Sequence, residues 1–419
     1  MPVWRPYTSH WEGMPPTLPI VRATGSYLYT ADGRAIWDGT CAWWVTVHGH
    51  CHPFIAQAIA EQAHTLDQVL FADFTHSPAE ALVEKLSHHT GLSWGFFSDD
   101  GSTAVEVALK IALQYFHNRG EPRRKFLALE GAYHGDTFGA MSVSARSAFT
   151  SPFQELLFEV EWLPFPSHEN EGKLWESLES LQGRTDIAGF IGEPIVQGVA
   201  GMRMYEASYW DAIARAVRRI GGLIIADEVF TGFGRTGTLF ATDACNEKPD
   251  ILCLSKGLTG GFLPLGLTLV RQEVFEAFYS SEPAHALYHG HSYTANPLAC
   301  AAALANLSLW ERPETWEKYH LLVEMQRTLA AQWQTLYPET PVRQKGLIWA
   351  VELPSPEKGY FAPHRHLFKK YALERNIFLR PLGTVIYILP ALSSTPDELI
   401  KAVGVVESYL KEVAAAPSL

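Results

Sequence analysis

A lysine, an aspartate and a glycine–serine pair are the residues of this chain whose types and spacing could do chemistry together. Lys256 ends the apolar run Ile251-Leu252-Cys253-Leu254-Ser255 and is followed by the turn formers Gly257, Gly260 and Gly261. A second apolar run, Leu223-Ile224-Ile225-Ala226, ends in Asp227-Glu228. One amine and one carboxylate are therefore expected at the mouths of two buried strands. An amine there can form a Schiff base and an acid can hold a pyridine nitrogen protonated, the two demands of pyridoxal phosphate (PLP). Taken singly, each has a plainer reading, Lys256 as a surface turn lysine and Asp227 as half of a structural salt bridge. A carboxylate that ends a fully apolar strand is desolvated and needs a cation or several hydrogen bonds.

The glycine–serine pair lies in Ser98-Asp99-Asp100-Gly101-Ser102-Thr103, with Glu106 beyond it. Thr103 and Glu106 have capping-box spacing, which predicts a helix start at Thr103. Gly101 and Ser102 would then offer free N–H groups and the positive helix end to a phosphate; without a ligand the same residues read as a helix start and nothing more. Tyr133-His134-Gly135-Asp136 follows the apolar run Phe126 to Leu129. The Tyr133 ring either lies flat on a pyridine ring or packs on the core as a turn tyrosine. Arg380, in Leu379-Arg380-Pro381-Leu382-Gly383, suits bidentate capture of a carboxylate, with a rim salt bridge as the alternative. His48-Gly49-His50-Cys51-His52 has the density of a metal site, but Gly49 and Pro53 suggest a turn and no second ligand pair follows, so no metal is expected.

These residues need a frame that brings strand ends together. Candidate strands run over Trp94 to Phe97, Phe126 to Leu129, Ile187 to Ile191, Leu223 to Ala226, Ile251 to Leu254 and Leu265 to Val270. Candidate helices between them are Phe54 to His64, Ala79 to Ser87, Thr103 to His117, Ala207 to Arg219 and Pro297 to Trp310. Alternation of this kind predicts an α/β fold with a mostly parallel sheet covered on both faces, and ligands gather at the carboxyl ends of such strands. A hairpin is expected at Tyr27 to Trp37 around Asp32-Gly33. The chain divides into an N-terminal segment 1–50, a large domain 51–305 and a smaller α+β domain 306–419 to which the first segment belongs.

With 419 residues, 47% of them hydrophobic, the chain can bury a substantial core. Its net charge of −12 opposes non-specific binding to nucleic acid and to anionic membrane. The dense basic run Arg123-Arg124-Lys125 is expected in a solvated loop. Five scattered cysteines without C-x-x-C spacing, an N-terminus lacking the apolar core of a signal peptide and the absence of a membrane-length apolar run predict a cytoplasmic protein.

Taken as a set, the motifs resemble the class III PLP-dependent aminotransferases along nearly the whole chain. They are Asp100-Gly101-Ser102, Tyr133-His134-Gly135, Glu193-Pro194, Ala226-Asp227-Glu228-Val229 with Thr231 to Gly237, and Ser255-Lys256-Gly257. The likeness is strongest to the branch that acts on 8-amino-7-oxononanoate in biotin biosynthesis. It rests there on Trp4 to Thr8, Trp43-Trp44, Pro194 to Gly198, Gly201 to Tyr205 and Arg380 to Gly383. The resemblance implies a fold type I homodimer with a seven-stranded large-domain sheet and active sites at the subunit interface. It implies Lys256 bonded to PLP, Asp227 on the pyridine nitrogen, Tyr133 and Val229 on the two ring faces, and Gly101, Ser102 and the neighbouring subunit's Ser292 on the phosphate. Tyr7 would join Lys256 and Asp227 in catalysis. Tyr7, Trp43, Trp44, Tyr133, Asp136, Gly290 and Arg380 would shape the substrate pocket, with Arg380 on the acceptor's carboxylate. Where the family reads His-Gly-Pro-Thr this chain has His289-Gly290-His291-Ser292. That leaves the amino donor open between S-adenosylmethionine, the usual choice, and lysine; another class III ω-amino acid aminotransferase is the rival activity.

Overall fold

The structure, a computed structural model, describes residues 3–10, 17–355, 359–362 and 364–415. Met1 and Pro2, which open the segment read for a signal peptide, lie outside the described residues.

The apolar runs of the middle of the chain assemble into one seven-stranded sheet. Its order is Trp94–Ser98, Gly266–Val270, Ile251–Leu254, Leu223–Asp227, Ile187–Gly192, Lys125–Leu129, Val160–Leu163. Only Gly266–Val270 runs against its neighbours, so the sheet is mostly parallel, as expected of a fold type I enzyme. Side chains leave a strand alternately to its two faces, and the core divides accordingly. Ile225, Ile251 and Cys253 pack with Val105, Ala108 and Ile111 of the helix Gly101–Asn118. Ile224, Ala226, Leu252 and Leu254 pack on the other face with Trp210, Ile213 and Val217 of the helix Ala207–Arg219. Burial on both faces explains why these strands read as continuous apolar runs.

The strand Val160–Leu163 is absent from the sequence reading. It is the sheet edge, with the half-buried Glu161 and Trp162 between Val160 and Leu163, and so lacks the apolar continuity of its neighbours. Two further expectations are corrected. The helix start is Gly101, not Thr103: Asp100 is the cap, accepting from Thr103 N at 2.9 Å while Thr103 Oγ1 accepts from Asp100 N at 3.0 Å. Glu106 instead accepts from Gly139 N at 2.6 Å and Ala140 N at 3.1 Å. The basic run is no solvated loop, because Arg123 Nη1 donates to Ile187 O and Ile220 O and Lys125 opens a strand beside Glu161 and Asp186.

The hairpin around Asp32-Gly33 forms as read, with Gly33 at φ +86° where a side chain would be strained. It belongs to a four-stranded sheet, Ile20–Thr24, Tyr27–Thr30, Ala35–Asp38 and Ile377–Phe378. The last two strands are parallel, so the chain's N-terminal part is joined to its C-terminal part. A three-stranded antiparallel sheet, Val342–Lys345, Ile348–Glu352 and Val385–Ile388, and the helices Pro313–Leu336, His364–Glu374 and Pro396–Ala415 complete the C-terminal part. Of the histidine cluster, His50 Nε2 lies 2.9 Å from Asp38 Oδ2 and the His48 ring lies 5.2 Å from that of Trp310. Among the described residues no group of three or more His, Cys, Asp or Glu is placed to hold a metal ion.

Candidate active site

Five strand ends deliver the site: Asp227 ends Leu223–Asp227, Lys256 lies two residues past Leu254, Glu193 follows Gly192, Tyr133 follows Leu129, and Asp100-Gly101 follow Ser98. All are carboxyl ends of the parallel-running strands, and all open on one cavity of about 480 Å³. Asp227 and Lys256 come from strands that are direct neighbours in the sheet. The amine and the acid therefore share one cavity.

Asp227 is 4% exposed. Its Oδ2 lies 2.7 Å from His134 Nδ1 and its Oδ1 accepts from Val229 N at 3.0 Å, so the carboxylate is fixed from two sides. The buried His134 Nε2 has no partner among the described residues. Lys256 adopts φ +47°, a left-handed conformation unusual for a lysine, and its Nζ stands 4.8 Å from the centroid of the Trp44 ring. Burial pushes the Lys256 amine below its usual range, against the charges of Asp227 and Glu193, which raise it. Glu193 accepts from Gly198 N at 2.9 Å and Tyr133 N at 3.2 Å, and its burial moves the carboxyl up to about 7.

Gly101 and Ser102 occupy the first turn of an 18-residue helix, with Asp100 satisfying Thr103 N. Their own N–H groups have no acceptor among the described residues and point the positive helix end at the cavity. A Cβ on Gly101 would stand 2.5 Å from Val229 Cγ1, so only glycine leaves Val229 free to face the cavity. Gly135 is likewise closed to any side chain, by Ser102.

These groups fit pyridoxal phosphate: amine, buried fixed carboxylate, helix-end amides, and Tyr133 and Val229 on the cavity wall.

Beyond the cavity, Tyr7 Oη donates to Asp136 and lies 3.2 Å from Tyr133 Oη. Burial and the Asp136 carboxylate push the Tyr7 phenol far up, and burial with the Tyr7 contact does the same for Tyr133, so both hydroxyls keep their protons. Trp43 and Trp44, adjacent in sequence, part company. Trp44 is buried in the cavity wall against Phe230, 4.6 Å between centroids, whereas Trp43 meets the edge of Tyr7 at 5.4 Å and carries Arg380 over its face at 4.5 Å. The cause is backbone: Cys41, Ala42, Trp43 and Trp44 all have positive φ, 50°, 52°, 84° and 77°. Left-handed conformation costs about 1–2 kcal/mol per residue, so the turn needs anchors. Asp38 supplies them, its Oδ2 accepting from Ala42 N at 2.7 Å and its Oδ1 from Thr40 N at 3.0 Å, and Arg235 Nη2 donates to Trp44 O at 3.1 Å.

Gly290 and Ser292 are not brought to this cavity. They stand exposed on a loop whose Ser292 O accepts from Gln68 Nε2 at 2.8 Å. His291 in the same loop has its Nδ1 3.5 Å from Asp99 Oδ2. Two aromatic residues packed beside Tyr7, Phe149 and Tyr360, escaped the sequence reading. Phe149 lies edge-on to Tyr7 at 5.9 Å and to Tyr360 at 4.6 Å. Both come from segments without strand or helix periodicity, so no spacing signal marked them.

The model of the family Aminotransferase class-III matches residues 7–410. The adenosylmethionine-8-amino-7-oxononanoate aminotransferase of Synechococcus elongatus is 46% identical over 426 aligned positions, covering 98% of this chain and 99% of that one. The crystal structure of the enzyme of the same name from Methanocaldococcus jannaschii superposes with TM-score 0.91 at 35% identity, covering 98% of this chain and 97% of the other. An amine transaminase from an uncultivated Pseudomonas species, solved in its PLP-bound form, gives 0.90 at 32% identity over 98% and 99%. A match that runs from Tyr7 to the last helix and takes in every residue of the cavity leaves one conclusion: this chain belongs to the class III aminotransferases, whose cofactor is pyridoxal phosphate.

Proposed function

We propose that the enzyme aminates 8-amino-7-oxononanoate to 7,8-diaminononanoate, the transamination of biotin biosynthesis, with S-adenosylmethionine as amino donor. One observation carries the choice of acceptor. Tyr7, Trp43, Phe149 and Tyr360 form a run of ring contacts that starts beside the cavity, where the Tyr7 hydroxyl meets that of Tyr133, and reaches the Arg380 guanidinium, which lies over Trp43 and beside Tyr360. A long aliphatic keto acid matches that separation of groups, with its reacting carbon at Lys256 and its carboxylate at Arg380. The names of the relatives from Synechococcus elongatus and Methanocaldococcus jannaschii point to the same acceptor.

Bound PLP supplies the electron sink for the carbon that loses its proton. The chain's residues do the rest. Lys256, with an amine that burial keeps easily deprotonated, moves the proton at the amine-bearing carbon of the substrate. Asp227, steadied by His134 and Val229 N, carries the negative charge that holds a proton on the pyridine nitrogen. Gly101 and Ser102 hold phosphate with their free N–H groups, and Val229 and Tyr133 bound the ring. Tyr7, whose hydroxyl stays protonated against Asp136, orients the substrate amine, and Trp44 closes the floor below Lys256.

We also read the chain as a cytoplasmic homodimer in which Gly290 and Ser292 serve the partner's phosphate site and substrate pocket. The support is an exposed apolar patch, Leu70, Phe74, Tyr288 and Tyr293, each more than 60% exposed, on two segments that Gln68 and Ser292 tie together. Five free cysteines suit a reducing compartment, and among the described residues no helix is long and apolar enough to cross a membrane. The pairing of residues 35–38 with 377–378 supports the reading of the first fifty residues as part of the small domain.

The likeness to the Pseudomonas amine transaminase favours one second reading, an ω-amino acid or simple amine as donor. A donor screen decides. Purified enzyme is mixed with 8-amino-7-oxononanoate and S-adenosylmethionine, lysine or a simple amine, and the diamine is measured by mass spectrometry. Product with S-adenosylmethionine alone is expected. Product only with lysine moves the donor, and no diamine with any donor overturns the acceptor.

A further inference from the structure

Arg380 is not the only cation beside the aromatic cluster of Tyr7, Trp43, Phe149 and Tyr360. The helix His364–Glu374 brings Arg365 and Lys369, one turn apart and both half-buried, to the same place. Tyr360 joins the two guanidinium groups: Arg365 Cζ lies 4.1 Å over its ring and Arg380 Nη2 is 3.5 Å from its hydroxyl. The charges of Arg365 and Lys369 are pushed down, first by burial and then, in part, by Arg380. Among the described residues none of Arg365, Lys369 and Arg380 has a carboxylate ion-pair partner, although acidic residues outnumber basic ones by 45 to 33 in the sequence. Three partly desolvated cations with no carboxylate partner among the described residues repel one another, and an anion that binds between them relieves that repulsion.

We propose that Arg365 is a second carboxylate-binding residue of the acceptor subsite, acting with Arg380 around Tyr360, and that Lys369 adds long-range attraction for the incoming anion. The inference rests on the reading of this aromatic surface as the site of a long-chain keto acid and names the group that determines its specificity for a carboxylate end. Arg380 lies over Trp43 with Nη2 beside the Tyr360 hydroxyl, and Arg365 lies over the ring of the same tyrosine, so two guanidinium groups border one phenol and can each take an oxygen of a carboxylate.

Binding of nonanoate and of its uncharged counterpart nonanamide to holoenzyme, followed by tryptophan fluorescence, tests this without turnover. Wild type is expected to prefer the carboxylate. Arg365→Gln should cut that preference about tenfold, Arg365→Lys should restore part of it, and combining Arg365→Gln with Arg380→Ala should abolish it. A preference in Arg365→Gln within twofold of wild type overturns the proposal. So does equal weakening of both ligands, which marks a merely structural role. A reduced preference in an enzyme that does not aminate 8-amino-7-oxononanoate leaves Arg365 as a carboxylate ligand and removes only the choice of acceptor.

Discussion

At the scale of single residues, the decisive quantity is the protonation of Lys256. Its folded amine binds a proton less tightly than the ordinary value of 10.5 implies, because burial outweighs the attraction of Asp227 and Glu193. Between that lowered folded value and 10.5 unfolding takes up a proton, so in this window the group's contribution to apoenzyme stability rises with pH. The rate of PLP capture by apoenzyme, plotted against pH, is expected to reach half its plateau below 10.5. Asp227→Asn removes a charge that raises the amine, so its midpoint should move further down; an upward move would show that the Asp227 charge does not act on the amine in that sense. For Arg380→Ala the expected loss is about 2–5 kcal/mol of acceptor binding, read as a higher KM with smaller effects on the donor half-reaction. Lys256, Asp227 and Arg380 were legible in the sequence because each terminates an apolar segment. Phe149 and Tyr360 were not, since an aromatic in an irregular loop carries no positional signal until the chain folds.

Among the elements, two local structures aim the side chains. The Gly101–Asn118 helix begins where Asp100 caps it, and two residue pairs with the same three-residue spacing, Asp100/Thr103 and Thr103/Glu106, competed for that role in the sequence. Spacing is blind to which pair closes; the packing of Glu106 under Gly139 and Ala140 decided it. Gly101→Ala should weaken PLP binding about tenfold, because both Val229 methyls would be crowded, while helix propensity favours alanine. Equilibrium dialysis against PLP alongside thermal melts of apoenzyme separates the two effects. The second structure is the left-handed turn Cys41–Trp44, invisible in a sequence that has no glycine there. Asp38→Ala leaves Thr40 N and Ala42 N without their acceptor and His50 without its partner, so urea unfolding should show a loss of about 3 kcal/mol. A loss below about 0.5 kcal/mol would mean that the turn holds without Asp38.

On the scale of the molecule, alternation of apolar runs and helices was enough to foresee a mostly parallel sheet with its ligand site at the carboxyl ends, because strands buried on both faces write themselves as unbroken apolar runs. Contacts between distant parts of the chain, such as Arg380 over Trp43, depend on the parallel pairing of Ala35–Asp38 with Ile377–Phe378 and have no local signature. The same holds for the proposed subunit interface. If the proposed homodimer forms through this patch, introducing Leu70→Asp and Phe74→Asp together yields monomers in sedimentation and weakens PLP binding, because the proposed reach of Ser292 to the other protomer is lost. Monomers that keep full affinity would sever Ser292 from the cofactor. Most direct of all is the chemical trapping of the cofactor on its lysine. Holoenzyme is reduced with borohydride, digested and mapped by mass spectrometry. One phosphopyridoxyl group is expected, on the peptide containing Lys256, and none in Lys256→Ala; a label on another lysine, or a visible cofactor band retained by Lys256→Ala, would contradict the assignment of Lys256.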